Sequence, residues 1–344
     1  MKKFIIKILG FGGCLLAVLL ALCILIDPFS VFHPLNVRDN GVEPNKNYIK
    51  TYYILKNPDK FDSFVFGASN VGNIHTDKMP GSCYNMTYSA GYPDEYLETL
   101  RTFVANGVIP KKIYVGLGSL SYSGMGEYHL EDTLRSPYWY AQEHPFRFWK
   151  MYLRPAVVGN AVLEVMTEHT YESKSVEVFY DCGWNYDYGY VTTCDFGGKT
   201  PEEKKAELYG TVDEDSARLP FEKTLEKVSE IMELCSENGI EAEFFTVPFY
   251  YGEQLTATYI EYFKALAEIT PFWNFSGYND IVFDSANYVD TAHYNAEIGD
   301  MIINCMCYGQ QYDGLYEQGF GVYTDKNNAD YVIAGFKGEK ICEK

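Results

Sequence analysis

A short apolar stretch that runs directly into a glycine-serine turn limits the folds open to this chain more than any other feature. Residues 64–66 are Phe-Val-Phe, and Gly67-Ala68-Ser69 follows at once. Such a stretch is typical of a strand covered on both faces, and glycine permits the sharp bend after it. Ligands bind at the carboxyl ends of strands in an open α/β sheet, so Ser69 is predicted to lie at a binding edge. The alternative is an ordinary turn, since Gly, Ser and Asn all favour turns.

Strand and helix patterns alternate on both sides of a long aromatic stretch. After the first strand, the predicted elements are strands over 83–86, 112–118, 241–248 and 272–275 and helices over 94–105, 220–237, 256–267 and 296–308. In the helices the apolar residues repeat every three or four positions, and the strands are short apolar runs. Strand-helix-strand order is typical of right-handed parallel crossovers, so the sequence predicts an α/β fold with a central parallel sheet.

The N-terminus has the pattern of a membrane-spanning helix. Lys2, Lys3 and Lys7 precede residues 8–26, which contain no charged residue. This segment is long enough to span a bilayer, and its positive flank is expected to stay in the cytoplasm. We therefore expect a retained anchor over residues 1–27 and a single-pass protein of the cell membrane whose globular part is extracytoplasmic. A cleaved signal peptide is the alternative, although no clear Ala-x-Ala site precedes the end of the segment.

Beyond the anchor, the sequence predicts a largely irregular lead-in, an α/β domain with an insertion, and a tail. These cover residues 28–60, 61–308 and 309–344, with the insertion over 119–219. The insertion is dense in aromatic residues and is either a helical subdomain with its own small core or a cover that shapes a substrate groove. Within it, Cys182 and Cys194 flank a turn and are candidates for a disulfide. The chain's net charge of −19 excludes nucleic acid as an expected partner.

A second chemical motif lies just before the last predicted helix. Asp290 and His293 are three residues apart, so the carboxylate can accept from one imidazole nitrogen and leave the other free. Brought over Ser69, His293 would take the hydroxyl proton as general base, and Asp290 would stabilise the imidazolium. The alternative is that Asp290 caps the following helix. The other histidines show no metal-ligand spacing with one another, so no metal site is expected.

Taken in order, these motifs resemble the SGNH/GDSL hydrolase superfamily. The matching blocks are Gly67-Ala68-Ser69-Asn70, Gly91 and Asp290-Thr291-Ala292-His293. The resemblance implies a flavodoxin-like, three-layer αβα sandwich, a covalent acyl-serine intermediate, and no metal or organic cofactor. The anchor and the insertion resemble the extracytoplasmic acyl-transfer branch, similar to the DltD-type D-alanyl transfer proteins and the AlgX/AlgJ-type alginate O-acetyltransferases. That branch implies a membrane-bound O-acyltransferase as a frequent partner.

One block departs from the superfamily pattern. The third block usually supplies an asparagine in Gly-x-Asn-Asp, whereas the third strand here ends Gly116-Leu117-Gly118-Ser119. Losing one oxyanion donor costs about 10²–10³ in rate. Either Ser119 or a backbone N–H takes its place, or the catalyst is slow, or the site no longer turns over. The resemblance implies the backbone N–H groups of Ser69 and Gly91 as the remaining donors.

The resemblance and the anchor together imply a serine acyltransferase. It would move an acetyl or D-alanyl group onto a cell-surface polysaccharide or a teichoic-acid-like polymer, with Ser69, His293 and Asp290 as its catalytic residues. Two alternatives stay open. One is a surface carbohydrate or lipid esterase with the same three residues, and the other is a non-catalytic scaffold that binds glycan or a partner protein.

Overall fold

The computed structural model describes residues 1–118, 126–167, 175–178, 200–213, 219–248, 255–290 and 292–338. Ser119, Cys182 and Cys194 lie outside these ranges, and with them the predicted third oxyanion donor and the predicted disulfide. In chain order the helices and strands are α1 (Lys2–Ile26), α2 (Lys46–Lys56), β1 (Ser63–Phe66), β2 (Cys83–Asn85), α3 (Pro93–Ala105), β3 (Lys112–Leu117), α4 (Tyr138–Glu143), α5 (Pro145–Tyr152), α6 (Pro155–Thr167), α7 (Pro201–Leu208), α8 (Glu222–Asn238), β4 (Glu241–Thr246), α9 (Ala257–Ile269), β5 (Phe272–Asn274), α10 (Ala296–Tyr308), β6 (Val322–Thr324) and α11 (Ala329–Phe336).

The described strands form one six-stranded sheet in the order β2-β1-β3-β4-β5-β6. Neighbouring strands are parallel except for β5 and β6, which are antiparallel. The chain leaves β1 toward β2 on one side and returns to β3 on the other. In a doubly wound sheet, this reversal opens a crevice at the carboxyl ends of β1 and β3. The predicted α/β fold with a mainly parallel central sheet is therefore confirmed.

The predicted strands and helices between residues 61 and 308, outside the insertion, are all present, with ends shifted by at most two residues. β1 is buried along its whole length, as its uninterrupted apolar sequence predicts. In α8, Leu225, Val228, Ile231 and Cys235 form the buried stripe. The helix stops at Gly239, which has a φ of 68° and adopts the left-handed conformation that glycine favours at helix ends.

One prediction about the flanking segments is incomplete and the other is wrong. Residues 28–45 of the lead-in are irregular, as predicted, but Lys46–Lys56 forms α2, in which Tyr48, Ile49 and Tyr53 are buried. Two buried lysines within this helix obscure the apolar spacing in the sequence. The sheet also continues past residue 308, because Val322–Thr324 in the expected tail pairs with β5. A three-residue strand is too short to produce a recognisable alternation.

The chain divides into two compact units. The first comprises Met1–Tyr53 and Glu127–Val178, and the second comprises Ile54–Gly126 and Phe179–Lys344. The stretch predicted as one insertion is therefore divided, since α4, α5 and α6 belong to the first unit and α7 belongs to the second. Within the first unit, the Phe148 ring lies 4.9 Å from that of Tyr48 and 5.0 Å from that of Tyr152. These helices thus have an aromatic core of their own.

In the described part of the chain, α1 alone is long and apolar enough to cross a membrane, a test that an N-terminal signal sequence also passes. α1 ends at Asp27, which has a left-handed φ of 40°. The Asp27 carboxylate accepts hydrogen bonds from the backbone N–H groups of Val31 and His33. Arg38 donates from Nη1 to the carbonyl oxygen of Leu25 at 2.7 Å. These bonds attach the end of the helix to the loop that follows it.

Candidate active site

Ser69 begins a short 3₁₀ helix, Ser69–Val71, just beyond the carboxyl end of β1. Val71 determines how this turn lies on the sheet. A β-carbon added to Gly67 would lie 2.5 Å from Cβ of Val71, and one added to Gly116 of β3 would lie 2.5 Å from its Cγ2. Because glycines stand at both positions, the buried Val71 side chain packs onto the ends of two adjacent strands. Ser69 is thereby held over the crevice between β1 and β3.

Asp290 and His293 lie in a tight loop before α10. The backbone N–H of Val289 donates to the carbonyl oxygen of His293 at 2.8 Å and closes the loop. Inside it, Asp290 Oδ1 accepts from the N–H groups of Ala292 at 2.7 Å and His293 at 3.0 Å. These bonds place the carboxylate beside the imidazole. The cap of α10 is Asn295, whose side chain accepts from the N–H of Ile298, so the helix-capping alternative for Asp290 is wrong.

Two contacts join the backbone that follows Ser69 to the loop and helix that follow His293. Asn73 donates from Nδ2 to the carbonyl oxygen of Tyr294 at 2.7 Å. A β-carbon on Gly299 would lie 2.1 Å from the carbonyl oxygen of Asn73, so α10 approaches this backbone as closely as glycine allows. Asn85, at the end of β2, holds the same segment by donating to the carbonyl oxygen of Gly72 at 3.1 Å. Sequence reasoning missed these two asparagines, whose only signal is a polar residue in an otherwise apolar stretch.

The structure brings Ser69, His293 and Asp290 into one hydrogen-bonded chain. Nε2 of His293 lies 2.9 Å from Oγ of Ser69. Nδ1 of His293 lies 2.7 and 2.8 Å from the two carboxylate oxygens of Asp290. An ionised carboxylate only accepts hydrogen bonds, so Nδ1 carries the proton and Nε2 is the acceptor for the serine hydroxyl. This is the arrangement a general base requires for activating a serine.

The Asp290 carboxyl is held in its ionised form. Burial on its own would raise its pKa, but the hydrogen bonds from the His293 ring and from the N–H groups of Ala292 and His293 outweigh burial. The pKa of Asp290 therefore lies below its usual range. The side chain of Asp290 is 40% exposed and that of His293 15%. The base is thus more shielded from water than the carboxylate that orients it.

The turn at Ser69 also presents hydrogen-bond donors. The backbone N–H groups of Ser69 and Asn70 are the first two of the 3₁₀ helix, and neither donates to a residue that the structure describes. Such orphan donors are suited to an oxyanion. Gly91, the other predicted donor, follows a turn in which Ala90 has a φ of 54°. The left-handed region costs a non-glycine residue roughly 1–2 kcal/mol, so the backbone before Gly91 is held under strain.

The side chain of Asn70 was not among the residues predicted for the site, and its environment is unusual. Its carboxamide lies against Gly118, where an added β-carbon would be 2.2 Å from Nδ2. The Oδ1 atom of Asn70 is buried without a hydrogen-bond partner in the described part of the chain. The amide therefore occupies the space that a side chain at position 118 would fill, and its oxygen has no partner among the described residues.

Two other features of the described residues do not compete with this site. A cavity of about 460 Å³ lies where β4 and β5 begin, lined by residues that include Glu243, Trp273 and Tyr323. It lies at the amino edge of these strands, opposite the edge where parallel sheets bind ligands. No group of three or more His, Cys, Asp or Glu side chains in the described ranges is arranged to hold a metal ion.

No protein-family model matches the chain, and no match was found among the curated proteins. Function is therefore inferred from the geometry and chemistry of the site rather than from a relative.

Proposed function

We propose that this protein is an extracytoplasmic serine acyltransferase of the SGNH type, acting through an acyl-serine intermediate on Ser69. The observation that carries the proposal is the hydrogen-bonded chain from Ser69 Oγ through both nitrogens of His293 to the Asp290 carboxylate. The acyl group is acetyl or D-alanyl, and the acceptor is a hydroxyl of a cell-surface polysaccharide or of a teichoic-acid-like polymer.

In the first half-reaction, the Ser69 oxygen attacks the carbonyl carbon of the donor while Nε2 of His293 takes the hydroxyl proton. The negative charge of Asp290, beside Nδ1, stabilises the imidazolium that forms. The tetrahedral intermediate collapses as His293 returns the proton to the leaving group, and the acyl group stays on Ser69. General acid-base catalysis of this kind contributes about 10²–10⁴ in rate.

In the second half-reaction, His293 removes a proton from the acceptor hydroxyl as its oxygen attacks the acyl-serine. The new ester forms, the bond to Ser69 breaks, and the proton returns to Ser69 Oγ. If water takes the acceptor's place, the same steps give hydrolysis. The three residues thus support both chemistries, and the acceptor decides between transfer and the esterase alternative.

The negative oxygen of both tetrahedral intermediates requires preorganised donors. The N–H groups of Ser69 and Asn70 supply two, and Gly91 is the donor that the resemblance implies. We assign the side-chain donor, which the resemblance places at position 118, to the Asn70 carboxamide, because its Nδ2 lies only 2.2 Å from where a β-carbon on Gly118 would be. This assignment supports turnover despite the departure in the third block.

The attachment of α1 supports a retained anchor over a cleaved leader. The carbonyl group of Leu25, in the last turn of α1, accepts from Arg38, and the Asp27 carboxylate accepts from the N–H groups of Val31 and His33 in the loop. α1 also packs against α6 of the same unit. Removing α1 would uncover these groups. An anchor keeps the enzyme beside the membrane-bound O-acyltransferase that we propose as its acyl-donating partner.

Trapping the intermediate tests the proposal. The full chain in detergent is treated with a fluorophosphonate, and adducts are measured by intact mass. Ser69→Ala and the control Ser229→Ala are treated in the same way. The Ser229 hydroxyl donates to the carbonyl oxygen of Leu225 within α8. We expect one adduct on the native chain and on Ser229→Ala and none on Ser69→Ala. An adduct on Ser69→Ala, or none on the native chain, contradicts the proposal and leaves the scaffold alternative.

A second measurement separates transfer from hydrolysis. 4-Nitrophenyl acetate is supplied as donor, with and without a cello-oligosaccharide or a glycerol-phosphate oligomer as acceptor. Acetylated acceptor in the products supports transfer. Release of acetate alone, at a rate independent of the acceptor, supports the esterase alternative.

A further inference from the structure

The helix α6 has an exposed apolar side. Val162 is 39% exposed, Leu163 58% and Met166 77%, and their spacing puts them on one side of the helix. The buried side is formed by Val158 and Ala161. Soluble proteins rarely leave contiguous apolar side chains in water, so a face of this kind usually has a partner.

The charged and amide side chains of α6 avoid this face. The helix contains one charged residue, Glu164, and one amide, Asn160. At 100° per residue, both point well away from Met166, which lies at the centre of the exposed apolar side. α6 therefore has three sides, one packed, one apolar and exposed, and one polar. An apolar side away from a polar one is expected of a helix that lies at the boundary between water and lipid.

The position of α6 indicates which partner the apolar side has. α6 packs against α1 within the first unit. In α1, Leu19, Leu20 and Cys23 are the residues shielded from solvent, and nearly all others are exposed. The contact with folded protein is thus confined to the last two turns of α1. α6 therefore packs beside these last two turns of α1.

The depth of those turns follows from the length of α1. Residues 8–26 rise about 28 Å at 1.5 Å per residue, close to the hydrocarbon thickness of about 30 Å. Cys23 and Leu19 then lie roughly 5 and 10 Å inside the outer boundary of the hydrocarbon. A helix that packs against them lies at the level of the outer leaflet. Its exposed apolar side chains then face lipid, and its polar side faces water.

Local charge is consistent with this position. The stretch from α5 to α6 carries Arg147, Lys150 and Arg154, all exposed, against the single acid Glu164. This stretch is basic in a chain whose net charge is −19. Phe146, at the start of α5, is 79% exposed. Basic and aromatic side chains are enriched at the headgroup level of membranes.

We propose that α6 is a second membrane element, lying in the outer leaflet beside α1 with Val162, Leu163 and Met166 among the acyl chains. The inference depends on the proposed anchor and extends it. With two attached elements instead of one, the first unit has a fixed orientation on the membrane. A single spanning helix would allow it to rotate and tilt freely.

Photo-crosslinking of the full chain in vesicles tests this inference. Benzoylphenylalanine is incorporated singly at Leu163, at Met166, at the polar-side controls Asn160 and Glu164, and at Leu15 in α1. The vesicles contain phosphatidylcholine and phosphatidylglycerol, and lipid adducts are measured by mass spectrometry after illumination. We expect adducts at Leu15, Leu163 and Met166, at yields several-fold above those at Asn160 and Glu164.

The other outcomes overturn different statements. Adducts at Leu15 but not at Leu163 or Met166 contradict the inference and leave the anchor in place. Crosslinks from Leu163 or Met166 to a second copy of the chain also contradict it, because the face would then be a contact between copies. Absence of lipid adducts at Leu15 contradicts the anchor, and the inference with it.

Discussion

Nε2 of His293 lies 2.9 Å from Oγ of Ser69, although 224 residues separate them in the chain. The distance depends on the close approach of α10 to the backbone after the serine, at Gly299, and on the hydrogen bond from Asn73 to Tyr294. Neither contact includes an atom of the hydrogen-bonded chain itself. The geometry of the site thus depends on contacts made by neighbouring residues, which do not themselves take part in the reaction.

Replacing the base should slow acylation of Ser69 without preventing folding. His293→Ala removes the group that accepts the hydroxyl proton, so we expect the second-order rate of fluorophosphonate labelling to fall about 10²–10⁴-fold. Asp290→Ala should also lower the rate, because it leaves the imidazolium without its carboxylate. Labelling is followed by in-gel fluorescence at several probe concentrations, and circular dichroism checks the fold. Equal rates for His293→Ala and the native chain would show that the observed hydrogen bond does not activate Ser69 as a nucleophile.

Gly299→Ala should damage both stability and activity. The added β-carbon would lie 2.1 Å from the carbonyl oxygen of Asn73. This backbone atom cannot move aside as a side chain can, so we expect a loss of about 1–3 kcal/mol in the free energy of unfolding. Displacing His293 by about 1 Å should reduce the labelling rate about 10²-fold.

The matched control for Gly299→Ala is Gly159→Ala in α6, where an added β-carbon meets nothing within 4 Å. Both substitutions gain the same helix propensity, up to about 1 kcal/mol. The control should therefore be neutral or stabilising, with an unchanged labelling rate. If both variants behave alike in thermal unfolding and in labelling, the close approach at Gly299 does not position the histidine.

Asn70→Ala should separate activity from stability. Loss of an oxyanion donor lowers the acylation rate about 10²–10³-fold. Stability should be unchanged or higher, because Oδ1 of Asn70 is buried without a partner in the described chain and an unsatisfied buried oxygen costs about 1–3 kcal/mol. Asn70→Asp keeps the shape but replaces the donor with a charge, so it should be at least as slow. A variant that loses stability but labels at the native rate would make Asn70 a structural residue only.

The sequence predicted Ser69, Asp290 and His293 because each signal is local. An apolar strand that ends in glycine predicts the sheet edge, and three-residue spacing predicts the carboxylate-imidazole pair. Asn70, Asn73 and Asn85 were missed because their roles depend on contacts with residues that are remote in the chain. An asparagine in a turn has the same local appearance whether it holds a remote carbonyl group or water.

The sequence also could not predict which segments form the first unit, because they too are remote from one another in the chain. Asn45 donates from Nδ2 to the carbonyl oxygen of Ser136 and to the hydroxyl of Tyr152, about a hundred residues away. These bonds join the expected lead-in to the expected insertion. Composition and periodicity describe single elements and contain no information about which distant elements pack together.

Because the pKa of Asp290 is lowered in the folded protein, its ionised carboxylate should stabilise the fold less at acidic pH. A carboxyl whose pKa is depressed in the folded state contributes stability that is fully present above its unfolded pKa, about 3.9 for Asp, and is lost as the pH falls through the folded value. Asp290→Asn has no carboxyl to titrate at this position. The difference in thermal unfolding midpoint between the native chain and Asp290→Asn should therefore shrink as the pH falls below 4. Asp62, Glu230 and Asp280, whose pKa values are also lowered, are present in both proteins, so their contributions cancel. A difference that does not shrink between pH 4 and 2.5 would show that folding does not favour the ionised form of Asp290, and that the hydrogen bonds from the His293 ring and the backbone do not stabilise the carboxylate.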